Sequence, residues 1–173
     1  MEQLFPVGIS FCFYTACCSV LHTLVTPPKN ISYKDQKDYL GQHVSFVHSL
    51  IACVMAVCFY YIDGGVQYSK TTEYRHIVLL GHSLGYFIYD TIYAEVFRVH
   101  DLAMRFHHVC ILGGGFIMQF SSNGPLGPVC TIITELSNPC MQLRFILRAL
   151  NKEKTRMFSV FELIFAVIFI VNR

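Results

Sequence analysis

Two adjacent histidines, His107 and His108, open an apolar, glycine-bearing run, MRFHHVCILGGGFIMQF (104–120). A neutral imidazole, with a reference pKa of about 6.5, can take the proton from an amine attacking an acyl thioester. It can also accept the acyl group itself as a nucleophile. Either role needs a carboxylate to orient the ring and to stabilise the imidazolium as charge develops. Asp90 and Glu135, on neighbouring apolar segments, are carboxylates that could do so. His107, His108, Glu135 and Asp90 are therefore the candidate catalytic set, with neither histidine singled out.

Two other motifs invite chemistry and are set aside. GHSLG (81–85) is a literal G-x-S-x-G, but a nucleophile elbow needs a strand, a strained turn and a helix. Here Ser83 sits inside a continuous apolar helical run, where glycines serve packing. Eight histidines raise the question of metal. Neighbouring His107 and His108 point about 100° apart on a helix, and His100 lies seven residues before His107 across a loop. The histidine boxes of membrane desaturases and hydroxylases are absent. No metal and no cofactor is expected.

The elements that must carry these residues follow from composition. The chain has 173 residues, of which 54% are hydrophobic and 14% charged, against about 25% charged in a soluble domain. Mean hydropathy is +0.47. The net charge of +2 is too small and dispersed for a nucleic-acid partner. The eight cysteines fall within or at the ends of apolar segments, as free thiols packing like small apolar side chains.

Six apolar segments emerge, at 4–26, 43–62, 76–97, 106–120, 126–147 and 157–171. Most approach the ~20 residues that cross a ~30 Å hydrocarbon core; the fourth is short. The expected fold is all-α, a polytopic transmembrane helix bundle of about six spans. Connections are polar: Pro27-Pro28 opens 27–42, Gly64-Gly65 marks a turn in 63–75, and SSNGPLGP (121–128) is a tight turn. The last segment runs to Arg173 with no polar cap after it, so the chain is expected to be truncated.

Ionisable residues inside spans are costly and mark an interior or a pathway. His82, Tyr86 and Asp90 fall at i, i+4 and i+8 on the third span, one helical stripe. Thr131, Glu135, Asn138 and Gln142 share a face of the fifth, with Arg144 nearly opposite and Pro139 bending the helix. Three polar stripes can converge on one internal cavity, in which His82, Tyr86, Asn138 and Gln142 would bind lipid. The alternative is that they only join helices through interhelical hydrogen bonds. Nine basic residues flank the first, third and fifth loops, against Lys70, Arg75 and Arg173 on the other side. The positive-inside rule then puts those loops in the cytosol and the N-terminus in the lumen.

VSFVHSLI (44–51), LGYFIYD (84–90), the His107-His108 pair and ELSNPCMQLR (135–144) occur in this order on successive spans. That series resembles the TLC-domain family of multi-span endoplasmic-reticulum proteins, from about residue 40 to the end. The resemblance divides the chain into a first span and cytosolic loop (1–39) and a TLC-like domain (40–173). In the ceramide synthases of that family, the paired histidines and downstream aspartates serve N-acylation of a sphingoid base by acyl-CoA. By position the pair falls on His107 and His108, and the aspartates on Glu135 and Asn138, so one carboxylate is lost. The E-L-S-x-P wording followed by Arg144 looks more like the non-synthase branch, although His43 stands where that branch often has arginine. The resemblance implies lipid binding, sensing or membrane lipid homeostasis, with membrane lipids as partners. The alternative it implies is an acyl-CoA-dependent N-acyltransferase. Nothing in the sequence fixes the oligomeric state.

Overall fold

Ser32 starts the longest helix of the protein: its Oγ accepts from the Asp35 backbone N–H at 3.1 Å and donates to Asp35 Oδ2 at 2.7 Å. This cap satisfies donors that a helix start leaves unpaired. The computed structural model describes residues 2–65, 71–121 and 124–172. Among them it is all-α, with seven helices: α1 (Phe5–Leu24), α2 (Tyr33–Asp63), α3 (Tyr74–Phe97), α4 (Leu102–Gln119), α5 (Leu126–Glu135), α6 (Asn138–Ala149) and α7 (Arg156–Asn172). Lys70, Arg173 and part of the 63–75 and 121–128 connections lie outside the described residues.

Two expectations change in detail. The second helix begins ten residues before the expected span, because the Ser32 cap lets the polar stretch from Tyr33 wind into it. The fifth segment is two helices, not one bent helix. Pro139 lacks an N–H and its ring conflicts with the carbonyl four residues earlier, Glu135, where α5 ends. The same proline is welcome in the first turn of α6. The Gly64-Gly65 turn forms as expected, with φ of 75° and 92° that glycine alone adopts easily. Of the helices, α1 and α2 are long and apolar enough to cross a membrane by length and composition.

GHSLG has a packing purpose. A Cβ on Gly81 would lie 2.7 Å from Pro6 Cβ, and one on Gly85 would lie 2.5 Å from both Ser10 Cβ and the Val7 carbonyl. These two glycines let α1 seat its backbone against α3, where Ser10 Oγ donates to the His82 carbonyl at 2.6 Å. Small residues four apart on a helix face are thus read by a neighbouring helix. Helix α2 lies against α1, α3, α5 and α6, while α4 rests on α3 and α7 on α6. The core is aromatic: Tyr14, Tyr86, Tyr89 and Tyr93 cluster with Val44. Ile9 and Phe13 of α1, Phe106, Val109 and Ile117 of α4, and Leu163, Val167 and Ile170 of α7 point outward. Apolar surface on that scale fits a bilayer, not water.

The two ends of the bundle differ in which connections they gather. Tyr93 Oη donates to the Lys37 carbonyl at 2.8 Å, tying the α1–α2 loop side of α2 to the end of α3 that leads to α4. At the other end, Gln119 donates to the Gln3 and Ile77 carbonyls, and Thr72 bonds to Ser121 and Gly124.

Candidate functional site

Between α2, α3, α4, α5, α6 and α7 lies a cavity of about 750 Å³. Tyr86 and Asp90 of α3, His107 and His108 of α4, Glu135 of α5, and Asn138 and Gln142 of α6 all line it. Seven of the eight side chains singled out from the sequence thus face one space. The eighth, His82, is not in its lining: its Nε2 lies 2.9 Å from Tyr14 Oη, in the seam between α1 and α3.

Local structure explains how each side chain is held. Glu135 and Asn138 flank the α5–α6 break, where Asn138 Nδ2 donates to Glu135 Oε2 at 2.8 Å. The second position at which the resemblance loses a carboxylate therefore supplies a donor to the first. Tyr86 Oη donates to Ser45 Oγ at 2.7 Å, and its ring stacks on His48 at 3.8 Å and 6°. His107 and His108 diverge as helix geometry requires, with ring centroids 6.0 Å apart. His108 alone is buried, and its Nδ1 lies 3.0 Å from Thr91 Oγ1 while its Nε2 lies 3.5 Å from Asp90 Oδ2.

His100, expected to lie apart from the pair across a loop, comes within reach of His108 in the fold. Arg98 adopts a left-handed φ of 55°, closing α3, and the Val99 N–H bonds to the Ala94 carbonyl. Asp101 then caps α4 by accepting from the Met104 N–H at 2.9 Å. The two-residue link between these ends brings His100 to 4.5 Å from the His108 ring and 4.0 Å from Asp90. Burial pushes the pKa of His100 down from its ordinary value despite the acidic neighbours Asp38, Glu95 and Asp101, so its imidazole is neutral at neutral pH.

His48 is a site residue that the sequence reading passed over. It is fully buried, it lines the cavity, and its Nδ1 is 3.3 Å from Tyr14 Oη. The Tyr14 hydroxyl has one proton, so it donates to one of His48 and His82 and accepts from the other. His48 Nε2 and Gln142 Oε1 are buried with no hydrogen-bond partner among the described residues. Such atoms cost free energy unless a ligand or water completes them. The signal was present in the sequence: His48, one turn after Val44 and Ser45, is on the inward face of α2.

A smaller apolar groove of about 220 Å³ opens between α3, α4 and α5 beside Gly114 and Gly115. It shares Phe87, Ile111, Thr134 and Glu135 with the main cavity. Gly113 and Gly114 face open space, while Gly115 packs on Leu84. Arg144 turns away, as expected, to Glu162 of α7 at 2.9 Å, with its guanidinium over Phe165.

An all-α bundle with apolar outer faces and a cavity into which polar side chains converge fits a helical membrane protein. The TLC-domain model matches residues 40–173. The chain belongs to the TLC-domain family. Similar proteins are the TLC domain-containing protein 1 of Rattus norvegicus and of Mus musculus, each 27% identical over 134 residues. The Homo sapiens protein of that name is 26% identical over 134 residues. In each case the match covers 75% of this chain and 54% of the relative, so the chain spans about half the length of the curated relatives it matches. No solved structure gives a significant match.

Proposed function

We propose that this protein binds a polar-headed lipid inside the bundle and acts through it in lipid sensing or membrane lipid homeostasis. The supporting observation is the cavity, with seven convergent polar side chains and two buried polar atoms without partners among the described residues. A lipid headgroup can complete His48 Nε2 and Gln142 Oε1, while the acyl chain follows the adjoining apolar groove past Gly114. Residues 40–173 form the domain that holds the lipid, and residues 1–39 the leading span and loop. In this reading the chain crosses the membrane six times, α5 and α6 sharing one crossing. It resides in the endoplasmic reticulum with its N-terminus lumenal. Mass spectrometry of lipids retained by the purified protein is the test. A His107→Ala/His108→Ala variant that still folds should lose the lipid that wild type retains. A wild-type preparation free of lipid would overturn the reading.

The alternative is N-acyl transfer from acyl-CoA, supported by the two histidines at the cytosol-facing mouth of the cavity. There an imidazole takes the amine proton as the C–N bond forms and the thiolate leaves. The double variant should then abolish acyl transfer in liposomes. Unchanged lipid products between wild type and variant at equal expression would sink this alternative.

A further inference from the structure

The geometry points to a zinc-class divalent cation site formed by Asp90, His100 and His108 at the mouth of the cavity, with a coordination position open toward it. This goes beyond the lipid reading and does not depend on it.

One carboxylate oxygen and two imidazole nitrogens lie within 4.8 Å of one another. Zinc takes imidazole nitrogen and carboxylate oxygen at about 2.0–2.2 Å, so tetrahedral donors stand about 3.3–3.5 Å apart. The separation from Asp90 Oδ2 is 3.5 Å for His108 Nε2 and 4.0 Å for His100 Nε2. The first already has the spacing of two zinc ligands, and the second needs a shift of about half an ångström. Three protein ligands with a fourth position free is the pattern of an open site, and the trio lines the cavity. An anionic oxygen of a bound molecule could fill that position.

The hydrogen bonds around His108 orient its ring for ligation. Thr91 Oγ1 lies 2.7 Å from the Phe87 carbonyl and 3.0 Å from His108 Nδ1. A carbonyl only accepts, so the single hydroxyl proton goes to Phe87 and Thr91 must accept from His108 Nδ1–H. Nε2 is then the ring nitrogen that His108 turns toward Asp90 Oδ2. At 3.5 Å the pair is longer than a charge-assisted hydrogen bond, about 2.7–2.9 Å, yet suited to an ion between them. A ligating histidine whose other nitrogen donates to a polar partner is the usual outer-shell arrangement. No Lys or Arg pairs with Asp90 among the described residues, and nearby Arg105 is taken by Glu95 at 2.8 Å. His100 is held by the close of α3 and the Asp101 cap of α4, so the third ligand is built into the fold.

The test uses the full chain, freed of any affinity tag, loaded with zinc in detergent, desalted and analysed for metal. Wild type should retain one zinc per chain, and cobalt in its place should give the visible absorption of a tetrahedral complex. His100→Ala alters a loop residue and should fold, as circular dichroism can verify, yet lose the zinc; Asp90→Asn should do the same. Thr91→Val should weaken zinc binding by roughly 10-fold, whereas His107→Ala should keep it. A folded wild type that retains no zinc, or a His100→Ala variant that retains as much as wild type, overturns the assignment. Because the readout is metal content, its failure is separate from a failure to find lipid.

Discussion

The bundle holds two clusters of histidine and carboxylate, one at each end, and they are built to opposite purposes. At the end where α2 passes to α3, Asp63 is 1% exposed and pairs with Arg75 and with His76 Nε2 at 2.8 Å. Arg75 also pairs with Glu73. His76 Nδ1 accepts from the Glu73 N–H at 3.0 Å, so its Nε2 carries the proton that it donates to Asp63. Every charge there has a partner of opposite sign, and the cluster clamps the two helix ends together. At the other end, Asp90 faces the imidazoles of His100 and His108, with no arginine or lysine paired to it among the described residues, and opens onto a cavity. The same residue types make a structural clamp when an arginine completes them; without one they carry the cation site proposed above.

Breaking the clamp should have the largest effect. Asp63→Ala leaves Arg75 and His76 without their buried carboxylate, a change that costs about 3–5 kcal/mol, read as a large fall in melting temperature. Burial alone would raise the pKa of Asp63, but the Arg75 and His76 hydrogen bonds outweigh it and hold the carboxyl below its ordinary range. A depressed folded pKa stabilises above the unfolded value of about 3.9 and is lost as pH falls through the folded one. The clamp should therefore hold across neutral and mildly acidic pH and weaken only below about pH 4. Asp63→Asn should flatten that acid limb of the stability–pH curve; an unchanged limb would remove the clamp from the account.

Intermediate in size is the seam that carries α1. Gly85→Ala drives a methyl into Ser10 and the Val7 carbonyl, an overpacking worth about 1–3 kcal/mol. It should lower the melting temperature while leaving the cavity end, which α1 does not line, able to retain its ligand. The smallest effect belongs to Asp90→Asn in metal-free protein. No cation is stranded by that change, so the melting temperature should stay near that of wild type. A loss comparable to that of Asp63→Ala would show that both ends are clamps.

Helices were legible because hydropathy changes sharply at their ends, and the convergence of Tyr86, Asp90, Glu135, Asn138 and Gln142 was legible because helical spacing fixes faces. The Ser32 cap was harder to read, since it extends α2 through a polar stretch with no apolar signal. The α5–α6 break was foreshadowed by Pro139, but only tertiary packing decides between a bend and two helices. His100 escaped because its approach to His108 depends on the left-handed turn at Arg98, a backbone choice that residue type does not signal. Asp63 and Arg75 sit in what reads as a polar connection, where exposure is the ordinary expectation. His82 lies on the predicted stripe, yet the close seating of α1 over Gly81 and Gly85 claims it for Tyr14.

The central claim, that the cavity end holds a lipid and the clamp end does not, is tested most directly with a photoactivatable lipid. The probe is crosslinked in vesicles and the adducts are mapped by peptide mass spectrometry. Adducts on cavity-lining Ile111, Met141 and Phe145, lost in the His107→Ala/His108→Ala variant, are the predicted result. Adducts confined to outward residues such as Ile117, Val167 and Ile170, unchanged in that variant, would contradict it.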